Sequence, residues 1–368
     1  MQDEPSKFWS TGVSDLKAYV PGEQPDTTGW IKLNTNECPY PPSKQALARI
    51  TDAVNDQLRL YPDPQGMALR QCLSTKFGLS PSHVFVGNGS DEVLAHVFRA
   101  LLKHGRPVLF PDVTYSFYPV YCGLFGIAFE PVPLAPDFSI DLSGYARPNG
   151  GIVLANPNAP TGIALPLSDM RALLVSNPDS VVVVDEAYVD FGAQSAAALI
   201  PEFPHLLVVQ TLSKSRALAG LRVAFALGHP VLVQALERVK DSFNSYPLDR
   251  LALAGAQAAL EDEAHLGFVT RQIVQSRIWL TAELHRLGFD TLPSSANFVM
   301  TSHRSMDAKA LLLALRERRI LVRHFPQPRI ANHLRISVGT QGECEQLVAA
   351  LEQILLPCQE HLKEAQTT

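Results

Sequence analysis

The chain has 368 residues, more than one hydrophobic core serves comfortably, so two folded units are expected. Its 46% hydrophobic and 18% charged content is ordinary for a globular protein, and a net charge of −5 gives nucleic acid or an anionic membrane no electrostatic hold. No apolar run reaches transmembrane length, and the polar, acidic opening Met1-Gln-Asp-Glu-Pro-Ser-Lys7 does not read as a targeting peptide. The five cysteines (Cys38, Cys72, Cys122, Cys344, Cys358) are scattered and form no Cys-x-x-Cys, which suits a reduced, cytoplasmic protein. The eleven histidines form no His-Glu-x-x-His or similar cluster, so no metal site is expected.

Residues 21–46 are rich in Pro, Gly and Thr and predict an extended arm with turns. Strands and helices then alternate. His83–Val86 predicts a short strand, Gly87-Asn-Gly89 a turn, and Asp91–His104 a helix with Val93, Leu94, Val97, Phe98, Leu101 and Leu102 on one face. Val108–Phe110, Gly151–Ala155, Val181–Val184 and Leu206–Val209 are continuous apolar runs, as suits strands buried on both faces of a parallel sheet. From about 250 onward helical patterns dominate, at Leu251–Leu260, Val269–Leu287 and Ala308–Arg318, with strands at Asn297–Met300 and Leu334–Ser337. The pattern predicts an α/β fold: a large unit over 46–250 with a mostly parallel sheet between helices, and a smaller α+β unit built from 251–368 together with the arm 1–45.

Ligands of open α/β sheets bind at the carboxyl ends of strands, and chemistry-bearing residues cluster there. Asp185 follows four valines. Gly89 and Ser90 follow Val84–Val86, Asn156–Asn158 follow Ile152–Ala155, and Ser213 and Lys214 follow Leu206–Val209. Taken singly, each has a plain structural reading: Asp185 as a cap after a strand, Lys214 as a solvated loop lysine, Ser90 as a helix N-cap. Gly87-Asn-Gly-Ser-Asp-Glu92 resembles half of a dinucleotide fingerprint, but Glu92 stands where the third glycine belongs. A capped helix start still offers free N–H groups to a phosphate.

Taken together, Asn156-Pro-Asn-Ala-Pro-Thr-Gly162, Val181-Val-Val-Val-Asp-Glu-Ala-Tyr188 and Thr211-Leu-Ser-Lys-Ser-Arg-Ala-Leu-Ala-Gly-Leu-Arg222 resemble the fold-type I aminotransferases, which use pyridoxal 5′-phosphate (PLP). Leu16-Lys-Ala-Tyr-Val-Pro-Gly-Glu23, Leu33-Asn-Thr-Asn-Glu-Cys-Pro-Tyr40, Ile320-Leu-Val-Arg323 and Leu334-Arg-Ile-Ser-Val-Gly-Thr340 narrow the resemblance to the histidinol-phosphate aminotransferases. The resemblance covers roughly residues 16–350.

It implies that Lys214 holds PLP as a Schiff base and moves protons, that Asp185 pairs with the pyridinium nitrogen, and that Tyr188 bonds the ring 3′-oxygen. It implies a phosphate cup of Gly89, Ser90, Asp91 and Glu92 with Ser213 and Arg222, and Tyr115 flat against the ring. Tyr61 would reach the phosphate in the neighbouring subunit of a homodimer. The family's usual Asn before Pro-Thr-Gly is Ala159 here, and Asn158, or else Asn156, is the expected substitute. Arg335 would grip the substrate's phosphate or carboxylate, Arg323 would add a second phosphate contact, and Tyr19, Asn36 and Asn297 would assist. For Arg335 and Arg323 the alternative is a solvent-facing arginine, in a stretch that also holds Arg316, Arg318, Arg319 and Arg329. The implied reaction exchanges the amino group between L-histidinol phosphate and 2-oxoglutarate in histidine biosynthesis. An aromatic or broad-specificity aminotransferase, a threonine-phosphate decarboxylase and a non-catalytic PLP-fold protein stay open as alternatives.

Overall fold

A computed structural model of the chain describes residues 7–25 and 28–366. The N-terminal segment holds a short 3-10 turn (Val13–Asp15) and one short strand, β1 (Ile31–Lys32), and leads into helices α1 (Lys44–Ala53) and α2 (Met67–Phe77). The main sheet then forms from β2 (Val84–Asn88), β3 (Val108–Pro111), β4 (Phe129–Val132), β5 (Ile152–Ala155), β6 (Val182–Asp185), β7 (Leu206–Thr211) and β8 (Val223–Gly228). Between them run α3 (Gly89–Leu101), α4 (Tyr118–Phe125) and α5 (Leu167–Ser176). The strand order is β2-β8-β7-β6-β5-β3-β4, and β8 alone runs against its two neighbours.

The continuous apolar runs are explained by burial on both faces. Val182, Val184, Leu206 and Val208 pack on one side of the sheet with Leu173 and Leu174 of α5. Val183, Leu207 and Val209 pack on the other with Val97 and Phe98 of α3. The expected open, mostly parallel sheet is therefore present.

Helices α6 (Pro230–Asp241) and α7 (Arg250–Glu261) follow β8. Ala252, Ala256, Ala258 and Ala259 of α7 enter the core beneath the main sheet, so this helix packs with the large unit although the sequence pattern from 250 predicts the smaller one. Small side chains let α7 pack closely on α1 and the sheet.

The long α8 (Glu263–Arg286) leads to β9 (Phe289–Thr291), β10 (Phe298–His303), α9 (Ala308–Glu317), β11 (Ile320–Leu321), β12 (Arg323–His324), β13 (Leu334–Ser337) and α10 (Gln341–Gln366). An antiparallel sheet in the order β12-β13-β10-β9 shares a core with α8, α9 and α10 through Leu280, Leu284, Leu311, Leu315, Leu347 and Leu351. β1 pairs in parallel with β11, Ile31 opposite Ile320, which fastens the N-terminal segment to this smaller layer. Among the described residues no helix is long and apolar enough to cross a membrane.

Candidate active site

A cavity of about 230 Å³ opens where the carboxyl ends of β5, β6 and β7 meet the start of α3, the N-terminal segment and the small sheet. Asp185, Tyr188, Ser213, Lys214, Arg222, Ser90, Asp91, Tyr115, Tyr19, Asn36, Arg323 and Arg335 all line it. Sequence separations of up to about 300 residues collapse into one chamber.

Asp185 ends β6 and is buried. It accepts hydrogen bonds from Tyr118 Oη at 3.0 Å and from the Ala187 N–H at 3.2 Å. Burial pushes its carboxyl up to about 6, against the pull of those two donors. A buried carboxylate served by neutral donors is poorly compensated, and a cationic ring nitrogen is the partner that would restore the balance. Tyr118, the first residue of α4, is fully buried, and its hydroxyl is held neutral by burial and by Asp185. Sequence reasoning missed Tyr118. The available signal was that a strand-end carboxylate needs a donor and that this tyrosine stands in the same short aromatic run as Tyr115.

Lys214 sits in the turn after β7. Its ammonium donates to the Thr35 carbonyl at 3.2 Å and lies 5.8 Å from the Tyr188 ring centre. Tyr188 packs edge-on against Phe298, and its Oη accepts from Asn36 Nδ2 at 3.1 Å.

At the opposite end of the chamber α3 starts directly from β2, with no intervening turn. Gly89 has φ +78°, and a Cβ there would lie 2.4 Å from Arg222 Nη2, so glycine is what lets the guanidinium close over the helix start. Arg222 itself is left-handed at φ +54° and donates to Asp91 Oδ2 at 3.1 Å. Asp91 Oδ1 also accepts from Tyr115 Oη at 3.1 Å, so one carboxylate orients both side chains. Ser213 Oγ accepts from Thr211 Oγ1 at 2.9 Å, leaving the Ser213 proton available to an anion. The 13-residue helix, two serines and an arginine make a chamber end suited to a phosphate.

Some expected residues are placed elsewhere. Ser90 is the second residue of α3, not its N-cap; Asn88 holds the cap position. Glu92 does not line the cavity; its carboxylate accepts from the Asn88 N–H and closes the strand-to-helix junction. Asn158 does not line the cavity either. It accepts from Thr114 Oγ1 and donates to Val113 O and Thr161 Oγ1, so its amide is spent tying its loop to the segment after β3. Asn156 is likewise spent on both backbone groups of Leu165. Ala159 does line the chamber, and neither Asn156 nor Asn158 is among the described residues that line it. Tyr61 lies outside the chamber, 80% exposed and stacked on Tyr246 at 4.7 Å.

The far wall belongs to the small sheet and the N-terminal segment. The Arg335 guanidinium lies 5.4 Å from both the Phe298 and the Phe325 ring centres and donates to Asn34 O at 2.9 Å. Its Nε is buried without a partner among the described residues, and burial lowers the affinity of the group for its proton. A buried guanidinium with spare donors is an anion site in waiting. Arg323 donates to the carbonyls of Val20 and Pro21 at 3.1 and 3.3 Å, so it grips the N-terminal segment as well as lining the chamber. Tyr19 packs against Phe117 in a tilted arrangement, ring centres 4.9 Å apart. Asn297 is not a lining residue; its Nδ2 supports Asn36 O at 3.0 Å. Glu37, which sequence reasoning passed over, lines the chamber; hydrogen bonds from Lys32 and Thr35 outweigh burial and hold its carboxyl low.

The sequence model for aminotransferase class I and II matches residues 28–351. The chain is 60% identical over 348 residues to histidinol-phosphate aminotransferase 1 of Methylococcus capsulatus, covering 95% of this chain and 98% of that one. It is 60% identical over 350 residues to the histidinol-phosphate aminotransferase of Acetobacter pasteurianus, with the same coverage. Among solved structures, the histidinol-phosphate aminotransferase of Sinorhizobium meliloti in complex with pyridoxal-5′-phosphate superimposes with a TM-score of 0.82 at 28% identity, over 89% of this chain and 91% of that one. With a cavity whose buried carboxylate, lysine and phosphate-sized cup suit PLP, and with relatives this similar over nearly its whole length, the chain belongs to the class I and II aminotransferases, PLP-dependent enzymes of fold-type I, and within them to the histidinol-phosphate aminotransferases.

Proposed function

We propose that this enzyme transfers the amino group of L-histidinol phosphate to 2-oxoglutarate, giving imidazole acetol phosphate and L-glutamate, a step of histidine biosynthesis. The observation that carries the reading is one chamber with an anion site at each end: Ser90, Ser213 and Arg222 at the start of α3, and Arg335 on the small sheet. A cofactor phosphate and a substrate anion need two such sites.

PLP, when bound, supplies an electron sink for charge developing at the substrate carbon. Asp185 would hold its ring nitrogen, Tyr188 its ring oxygen, Tyr115 a ring face, and Ser90, Ser213 and Arg222 its phosphate. Lys214 would carry it and move the proton at the substrate carbon. Arg335 would take the phosphate of one substrate and the carboxylate of the other, because a planar guanidinium forks equally well to both anions. Arg323, Tyr19 and Asn36 would close the substrate side. We further propose a homodimer, since Tyr61 lies outside its own chamber and is largely exposed. A division into a cofactor-holding unit and an arm-plus-small-sheet unit, and a cytoplasmic location in keeping with the free thiols Cys38, Cys72, Cys122 and Cys344, belong to the same reading.

The test is the visible spectrum of the PLP-loaded protein during titration with L-histidinol phosphate in the absence of a keto acid. The cofactor band should collapse, and 2-oxoglutarate should restore it. A band untouched by histidinol phosphate but bleached by phenylalanine or threonine phosphate would sink the substrate assignment.

A further inference from the structure

Two proposed cofactor contacts take a hydrogen-bond partner from the N-terminal segment: Lys214 from the Thr35 backbone, and Tyr188 from a side chain, that of Asn36. The Tyr188 ring packs with Ala159 and Phe298, which offer its hydroxyl nothing. Its Oη accepts from Asn36 Nδ2 at 3.1 Å. Asn36 is 1% exposed, left-handed at φ +56°, and fixed from three directions. Its N–H donates to Ser337 Oγ at 2.8 Å, the Ser337 hydroxyl donates back to Asn36 Oδ1 at 2.8 Å, and Asn297 Nδ2 donates to its carbonyl at 3.0 Å. The reciprocal pair with Ser337 decides which way the amide faces. A flipped amide would set an NH₂ against the Ser337 proton and leave that proton without an acceptor. Oδ1 is therefore the acceptor and Nδ2 the donor. Tyr188 must accept on that side, and its own proton is turned away from Asn36.

We propose that Asn36 is a positioning residue for the cofactor: by donating to Tyr188 Oη it aims the Tyr188 proton into the chamber and strengthens the phenol as a donor to the PLP ring oxygen, supplying through Tyr188 what no side chain at Ala159 can supply directly. Donation to a hydroxyl oxygen polarises its O–H bond, so the second bond in such a chain is stronger than it would be alone. The need is real in this chain, because the amides of Asn156 and Asn158 are already committed, to Leu165 and to Val113, Thr114 and Thr161. The relay also ties cofactor electronics to the small sheet, since Ser337 ends β13. The charged groups around the Tyr188 ring are the Lys214 ammonium at 5.8 Å from its centre and the Arg335 guanidinium, with Asp185 lining the same chamber. None of them hydrogen-bonds its hydroxyl among the described residues.

This inference rests on the cofactor placement proposed above. The experiment is a pH titration of the visible band of PLP-loaded protein for the wild type, Asn36→Gly, Tyr188→Phe and the double variant. Glycine tolerates the left-handed backbone and keeps the N–H and carbonyl that Ser337 and Asn297 hold, so only the amide side chain is lost. Losing a donor to the ring oxygen raises the pH at which the band titrates. Tyr188→Phe should raise the midpoint by about one unit or more, Asn36→Gly by roughly half to one unit, and Asn36→Gly should add nothing in the Tyr188→Phe background. If Asn36→Gly fails to hold PLP, Asn36→Asp replaces it in the same cycle; its carboxylate draws the Tyr188 proton away from the chamber and should raise the midpoint more in the wild-type than in the Tyr188→Phe background. A midpoint indifferent to Asn36, or a shift that persists in full without the Tyr188 hydroxyl, overturns the relay alone. A wild-type protein that shows no visible band with PLP overturns the cofactor reading, and the relay with it.

Discussion

On the main-sheet side of the chamber, each working residue stands within a few positions of a strand end: Asp185 on β6, Lys214 three residues past β7, Arg222 directly before β8, Ser90 two past β2. Sheet register sets their spacing, and short local bonds finish it, such as Ala187 N–H to Asp185 and Thr211 to Ser213. On the small-sheet side the working groups are held by bonds between residues about 300 apart: Arg323 to Val20 and Pro21, Arg335 to Asn34, Ser337 to Asn36. The first wall comes preassembled with the core of the sheet. The second exists only while the N-terminal segment lies against β10 to β13. The cofactor side is therefore the rigid one, and the substrate side depends on a docking event that can loosen without unfolding the core.

The sharpest way to break this contrast is to remove one group from each wall. Lys214→Ala should lower turnover by about 10⁴-fold or more, since it deletes both the covalent hold on PLP and the proton carrier, while the melting temperature of the apo protein stays within a few degrees of wild type. Single-turnover assays with melting curves check both halves, and retained turnover would refute the assignment of Lys214. Arg335→Ala should raise KM for histidinol phosphate and cost about 2–4 kcal/mol in kcat/KM while PLP stays bound, because only the far wall is touched. Loss of PLP in that variant would mean the two walls are not separable.

Asp185 sharpens the contrast in energy. Its carboxyl is raised from an ordinary 3.8 to about 6 by burial. The folded apo protein thus binds this proton more tightly than the unfolded chain, a contribution complete below about 3.8 and lost as pH rises through about 6. Asp185→Asn escapes that loss. Without PLP the variant should be close to wild type at pH 4 and more stable by about 1–3 kcal/mol at pH 8, yet bind PLP far more weakly. Denaturant titrations at the two pH values decide it; equal stability at both would show that the buried carboxylate carries no penalty awaiting a cation.

The same contrast explains what could be read in advance. Strand ends are local: an apolar run, then a polar residue, so Asp185, Lys214, Ser213 and Ser90 were visible from spacing together with the family resemblance. Strand β8 was not, because Val223–Gly228 begins directly after Arg222 with no turn signal between them. Tyr118 was hidden because nothing local distinguishes a core tyrosine from one serving a carboxylate. Glu92 misled for the opposite reason, since a polar residue beside a ligand-binding turn is often spent on the turn itself, and Asn158 misled because its amide bridges to Val113 and Thr114 on a separate segment, a pairing that spacing does not show. The far wall was legible only through resemblance: periodicity carries no information on which arginine meets which carbonyl 300 residues away.

The smallest effect separates two ways in which the far wall is held. Arg323 and Arg316 both fasten the N-terminal segment, Arg323 through the Val20 and Pro21 carbonyls and Arg316 through an exposed ion pair with Glu23. The ion pair is half in solvent on both sides, so Arg316→Ala should leave stability close to wild type and speed tryptic cleavage after Lys17 only slightly, with KM unchanged. Arg323→Ala removes two hydrogen bonds and a chamber-lining cation at once. It should speed that cleavage several-fold and raise KM for histidinol phosphate by about tenfold or less, because Arg335 still holds the anion. If Arg323→Ala raises KM while cleavage after Lys17 stays at the wild-type rate, Arg323 serves the anion and not the segment. If cleavage accelerates and KM does not move, the segment can leave without opening the anion site, and the dependence of the substrate wall on its docking is wrong.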